Sequence, residues 1–224
     1  MKSISKTTLE FLSKLRRNNN REWFNEHKTE FQHQQAKIKS FFSALGEKLN
    51  SHDEIEKLKV FRIYRDVRFS KDKTPYKTHF GGHFVRATKR LRGGYYLQIS
   101  SGESFLAGGF WAPNKEDLLR IRKEFEIDAT EIREIMNDTT FVSHFGVLEG
   151  VSLKTAPRGF NKEHPDLDLI KMKQFIITHK FTDAEVLSDD FLEKVNESFK
   201  AMRPFLNYMS EILTTDLNGV STID

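Results

Sequence analysis

The chain predicts an α+β fold: an antiparallel β-sheet of about four to six strands from the middle of the chain, packed against N-terminal and C-terminal helices. Three observations carry this expectation. Apolar residues recur at helical spacing in the first and last parts of the chain. The middle holds short β-branched and aromatic runs punctuated by Gly81-Gly82, Gly93-Gly94 and Gly108-Gly109. Those runs follow one another too closely for the long crossovers that parallel pairs need.

The elements follow in order. Thr7-x-x-Glu10 reads as a capping box ahead of Phe11, Leu12 and Leu15. Asn18, Asn19 and Asn20 break that pattern, and Asn20 is placed to cap a long helix over about Arg21–Leu49. Phe24, Phe31, Ile38 and Leu45 recur every seven residues along it, a stripe that reads as core. Val60–Phe69 alternates apolar and polar residues, broken at Arg65, and is expected to be a strand that turns at Ser70–Lys73. His79–Arg86, Tyr95–Ser100 and Ser104–Trp111 are expected strands, with Gly93-Gly94 as a hairpin signal. Asn114 is the expected cap of a helix over about Lys115–Met136. A turn-rich loop covers Leu153–Leu169, and Met172–Phe181 ends in a strand. A last helix, capped by Ser188 or Asp189, is expected to kink or split at Pro204.

Length and composition bound the rest. The 224 residues fit a single domain, 1–224, with no repeat, linker or low-complexity tract, and 38% hydrophobic residues with 20 Phe suffice for a core. There is no cysteine, which excludes disulfides, thiolate metal sites and cysteine nucleophiles. The N-terminus lacks the apolar core of a secretory signal, and no run approaches the ~18 apolar residues of a membrane span. A cytoplasmic protein without a membrane partner is expected.

The strongest anomaly is charge. Lys57–Arg92 holds twelve Lys/Arg against Asp66 and Asp72, a local charge of +10 in a protein of +4, so the remainder sums to −6. Like charges crowded together must be offset by packing, buried partners or an anionic ligand. On a strand, Arg62, Tyr64, Asp66 and Arg68 share one face, and guanidinium forks match phosphate or carboxylate oxygens. Arg65 and Tyr76, with Lys71, Lys73 and Lys77 in the turn, extend this ligand-binding set. Lys154, Arg158, Lys162 and His164 form a second cationic cluster, and one concave site would result if it folded beside the first. The alternative for both clusters is a solvated surface.

His79 and His83 lie four apart and share a strand face, so with His164 from His164-x-Asp166-x-Asp168 they are the metal-ligand candidates. The competing reading makes Asp166 a helix cap and His164 a loop residue. Asp66 and His83 are the acid–base candidates. No P-loop, Rossmann glycine fingerprint, G-x-S-x-G or H-E-x-x-H occurs, and the cofactor is undetermined.

Tyr64–Thr78 (YRDVRFSKDKTPYKT), together with Glu22-Trp23-Phe24, GGYYLQIS (Gly93–Ser100), GGFWAP (Gly108–Pro113) and Leu153–Phe175, resembles the family catalogued as domain of unknown function 2461. The resemblance spans nearly the whole chain. It implies one full-length domain of a mostly bacterial, cytoplasmic family, and no activity, cofactor or catalytic residue.

Three functions stay open, in this order. The first is a binder of a phosphate-bearing ligand or nucleic acid, with Tyr64, Tyr76, Phe80, Tyr95 and Tyr96 available to stack on bases. The second is an enzyme on a small phosphorylated or carboxylated substrate, clamped by Arg62, Arg68 and Arg158, with His83 or Asp66 moving protons. The third is a structural or partner-interaction module whose cations are neutralised internally, burying Arg62, Arg65 and Arg68 in ion pairs.

Overall fold

A computed structural model describes residues 3–223. In chain order the elements are α1 (Lys6–Arg17), α2 (Arg21–Glu26), α3 (Lys28–Leu49), β1 (Ile55–Val60), β2 (Phe80–Arg86), β3 (Gly94–Ile99), β4 (Ser104–Phe110), α4 (Lys115–Ile127), α5 (Thr130–Asn137), α6 (Thr139–Phe145), α7 (Leu167–Ile170), β5 (Phe175–Phe181), α8 (Asp183–Val186), α9 (Phe191–Ala201) and α10 (Arg203–Ile212). The strands form one antiparallel sheet in the order β1-β2-β3-β4-β5, so the α+β expectation holds. No described helix is long and apolar enough to cross a membrane.

By compactness the chain divides into two units. Among described residues the first comprises 3–85, 96–106 and 180–197, and the second 86–95, 107–179 and 198–223.

In the first unit the helix stripes pack as their periodicity requires. Phe31, Ile38, Phe41, Phe42, Leu45 and Leu49 of α3 are buried, as are Leu9, Phe11, Leu12 and Leu15 of α1. Gln34 sits in the α3 stripe and is buried because its Oε1 accepts from the Thr8 hydroxyl at 2.9 Å. The helix Arg21–Leu49 is interrupted at His27. Both the His27 backbone N–H and its ring Nδ1–H donate to the Trp23 carbonyl, at 3.1 and 2.8 Å, and the ring stacks on Trp23 at 4.0 Å. The capping box at Thr7 is also displaced: Ser5 occupies the cap position, and Thr7 lies in the first turn with its hydroxyl against that of Ser5. Asn20 caps α2 as expected, accepting from Trp23 N–H at 2.9 Å.

Gly81 and Gly82 of β2 each admit an aromatic ring. A Cβ on Gly82 would lie 2.9 Å from ring carbons of the fully buried Phe42, and one on Gly81 would lie 2.7 Å from the Tyr96 hydroxyl. The two rings therefore lie on opposite faces of the strand, Phe42 with the core helix and Tyr96 on the outer face.

In the second unit Asn114 caps α4, accepting from Asp117 N–H at 2.8 Å. The helix expected over Lys115–Met136 breaks where Asp128 leaves helical geometry at φ −158° and its carboxylate accepts from Thr130 N–H at 2.8 Å. Pro204 stands in the first turn of α10, where its missing N–H costs nothing, and separates α10 from α9. Tyr95 packs on Phe199, and Gly108 leaves room for Met202.

Candidate functional site

Residues 61–79 leave β1 and return to β2 as an irregular ribbon. The strand expected over Val60–Phe69 ends at Val60. Pairing beyond it reduces to one antiparallel bridge, Tyr64 with Tyr76, flanked by Arg65 N–H to Pro75 O at 2.9 Å and Lys77 N–H to Ile63 O at 2.7 Å. Two causes end the ladder. Pro75 has no N–H to return. Past it, side chains capture the backbone locally: Asp66 accepts from Arg68 N–H and Asp72 from Thr74 N–H. The face expected to join Arg62, Tyr64, Asp66 and Arg68 therefore does not form as a strand face, and Phe69, expected on the apolar side, is 97% exposed.

The ribbon is anchored from the Asn run. Asn19 Nδ2 donates to Tyr76 O at 2.9 Å, and its Oδ1 accepts from Tyr76 N–H at 3.1 Å, so a side-chain amide serves as a neighbouring strand. Tyr76 is buried and stacks on Phe24 with centroids 3.9 Å apart, while Phe24 meets Tyr64 edge-on at 5.8 Å.

The cations have different fates. Arg68 is chelated by its own neighbour, Nε and a terminal nitrogen reaching Asp66 at 3.0 and 2.7 Å. These bonds hold the Asp66 carboxyl below its usual range, so the proposed proton carrier is an anion spent on Arg68. Arg65 is ion-paired to Asp72 at 2.5 Å and also donates to the Thr74 hydroxyl and carbonyl. Lys73 donates to the Val67 carbonyl at 3.0 Å. In the second unit Arg86 is buried and donates to Leu206 O, Ser210 Oγ and Asn207 Oδ1, and Arg92 pairs with Asp117 at 2.5 Å. Lys59, Arg62, Lys71 and Lys77 have no hydrogen-bonded side-chain nitrogen or ion pair among the described residues.

Two of these four converge. The ammonium groups of Lys59 and Lys77 stand 5.4 and 5.2 Å from the centroid of the Phe61 ring. Phe61 continues the edge of β1, its N–H bonded to Gly81 O at 2.9 Å, and its ring lies 6.2 Å from Tyr96. Tyr96 in turn lies 5.7 Å from Phe105. The three half-buried rings thus cross the outer face of β1, β2, β3 and β4 within the first unit. Tyr96 donates to Gln98 Oε1 at 3.1 Å, and burial pushes its phenol up to about 12.

The electrostatics around this row are one-sided. Burial, then the Arg62 guanidinium, lower the Lys77 ammonium below its usual range. Burial and Lys77 press His79 down to about 4 against an opposing pull from Glu103, and burial and Lys59 press His83 down too. Both imidazoles are therefore neutral near pH 7, able to donate and accept hydrogen bonds.

Lys154 and Arg158 lie exposed in the second unit without hydrogen-bonded side chains or ion pairs among the described residues, and Arg62–Lys77 belong to the first. The His164-x-Asp166-x-Asp168 motif is spent on structure. Asp166 N–H donates to His164 Nδ1 at 3.1 Å, which leaves the ring proton on Nε2, donated to Glu126 O at 3.1 Å. Arg133 takes both carboxylates, at 3.0 Å from Asp166 and 2.5 Å from Asp168, so Asp166 holds the helix-start position but makes no side-chain cap. Both nitrogens of His164 are occupied, and no group of three or more His, Asp or Glu among the described residues is placed to hold a metal ion.

Several expected stacking residues are core: Tyr95 and Phe80 are 0 and 2% exposed, and Tyr76 5%. Sequence reasoning missed Phe61 and Phe105 as outer-face residues, and Lys59 as a site cation. The available signal was parity: Lys59 and Phe61 share one side of β1, as do Gly81 and His83 on β2.

The model of the conserved hypothetical protein family known as domain of unknown function 2461 matches residues 7–208. No curated protein and no solved structure matches the chain. The chain belongs to that family.

Proposed function

We propose that this family member binds a phosphate-bearing ligand, and most specifically single-stranded nucleic acid, on the outer sheet face of the first unit. The observation that carries the reading is the convergence of Lys59 and Lys77 on the Phe61 ring, with Arg62 close enough to lower the Lys77 ammonium. Uncompensated like charges beside a row of accessible rings fit a polyanion that also offers flat apolar faces. Phosphates would lie against Lys59, Arg62 and Lys77, and bases against Phe61, Tyr96 and Phe105. Neutral His79 and His83, with Gln98, are the hydrogen-bonding groups at hand. Arg65, Arg68 and Lys73 then act as structural cations of the ribbon rather than as ligand clamps. A cytoplasmic location accords with this role and with the absence of cysteine.

The enzymatic reading has less support, because Asp66 is committed to Arg68. The interaction-module reading accounts for Arg65, Arg86 and Arg92, but the burial it expects fails at Arg68, which pairs with Asp66 while its side chain stays 76% exposed, and at Arg62, which is exposed and has no ion pair among the described residues; Lys59 and Lys77 are likewise left unexplained.

The test is fluorescence anisotropy with a labelled single-stranded oligothymidylate across a salt series. Three phosphate contacts give a slope of log affinity on log salt of about −2, at ~0.7 per contact on a single strand. Lys59→Gln and Lys77→Gln each lower that slope by ~0.7. Tyr96→Ala weakens binding by ~1–3 kcal/mol with the slope unchanged. Absence of binding at low salt, or a slope unaltered by both lysine substitutions, overturns the proposal.

A further inference from the structure

The second unit contains a cleft of opposite character. Its volume is about 110 Å³, and it lies between α4, α5, α10 and the segment that follows α10. Four carboxylates line it, those of Glu124, Glu131, Glu211 and Asp216, against a single cation, Arg120. Arg120 is already engaged, donating to Glu124 at 2.6 Å and to the carbonyls of Thr215 and Asp216 at 2.9 and 3.0 Å. Asp216 accepts from the N–H groups of Asn218 and Val220 at 2.8 and 2.9 Å. The carboxylates of Glu131 and Glu211 have no hydrogen bond or ion pair among the described residues.

A second, independent feature points into the same cleft. Tyr208 is 7% exposed, lines the cleft, and its hydroxyl has no hydrogen-bond partner among the described residues. The hydroxyl itself opens to the cleft and, having no protein partner, is free to hydrogen-bond an incoming ligand in place of water. Burial, with the Glu124, Glu131 and Asp128 charges, keeps this phenol protonated. Glu131 is itself raised by burial and by Glu211, Glu134, Glu124 and Asp128, the response expected where negative charge is under-compensated.

We propose that this cleft binds a small organic ammonium ion, with Glu131 and Glu211 taking its charge and the Tyr208 hydroxyl supplying a third polar contact. A carbon-bearing cation suits the walls better than a hydrated metal ion. Ile212 and Leu217 offer apolar surface to methylene groups, and the carboxylates do not form a metal-ligand cluster. The proposal concerns surfaces and charges distinct from those of the outer sheet face, and it stands or falls separately.

The experiment is isothermal titration of the full chain with n-butylammonium, repeated with magnesium. Saturable butylammonium binding is expected, and magnesium should not compete for it at equal ionic strength. Glu131→Gln combined with Glu211→Gln should weaken it at least about tenfold, as loss of charge-assisted contacts implies. Tyr208→Phe should weaken it several-fold without lowering thermal stability, since the deleted hydroxyl has no protein partner. It therefore keeps the test valid should the double variant misfold. No saturable binding, full competition by magnesium, or unchanged affinity in Tyr208→Phe overturns the proposal.

Discussion

Asn19→Ala removes the amide that clamps the basic ribbon. The side chain makes two hydrogen bonds to one residue, 2.9 Å to Tyr76 O and 3.1 Å from Tyr76 N–H. Neutral hydrogen bonds contribute about 0.5–1.5 kcal/mol each, so the pair is worth ~1–3 kcal/mol. The upper half of that range is expected, because Tyr76 is buried under Phe24 and water reaches its backbone poorly once the amide is gone. Asn20→Ala, which removes an ordinary helix cap, should cost ~1 kcal/mol and serves as the comparison. Asn19→Asp should not rescue the loss: it can still accept from Tyr76 N–H, but its other oxygen would face the Tyr76 carbonyl. Urea denaturation supplies the free energies, and amide hydrogen exchange at Tyr76 locates the effect. A loss below ~0.5 kcal/mol with unchanged Tyr76 exchange would refute the clamp.

Two glycines give opposite expectations. Gly82→Ala drives a Cβ to 2.9 Å from the buried Phe42 ring and should destabilise by ~1–3 kcal/mol, whereas Gly46→Ala, in helix α3 with its nearest neighbour at 3.6 Å, should stabilise by up to ~1 kcal/mol; thermal melts that rank them the other way would contradict the packing. Stability should also depend on pH through His79, whose folded value of about 4 lies below its ordinary 6.5. Between those values the unfolded chain holds more protons, so stability is fully present above pH ~6.5 and is lost as pH falls toward ~4, with His83 acting in the same direction. His79→Gln should flatten that fall, and urea midpoints with the same pH slope as the parent would exclude His79 as its source.

Much of the fold was legible because periodicity is a property of the chain itself. The α3 stripe Phe31–Ile38–Leu45, the strands β2, β3 and β4, the Asn20 and Asn114 caps and the break at Pro204 all follow from residue type and spacing. The Val60–Phe69 alternation, broken at Arg65, was misleading, since a ladder needs a partner able to donate and Pro75 cannot. His27 and Asp128 ended helices through side-chain bonds that spacing does not reveal. The fate of the basic run was the least legible. Asp66, Asp72 and Asp117 neutralise Arg68, Arg65 and Arg92, Arg86 is buried among oxygens of α10, and Lys59 and Lys77 are left over one ring. The sequence by itself determined how many cations the segment carries and which local element each residue prefers. Only tertiary structure decided which cations are compensated: Arg86 and Arg92 meet partners far along the chain, and the local pairs of Arg65 and Arg68 form because the ribbon folds back on itself instead of continuing as a strand.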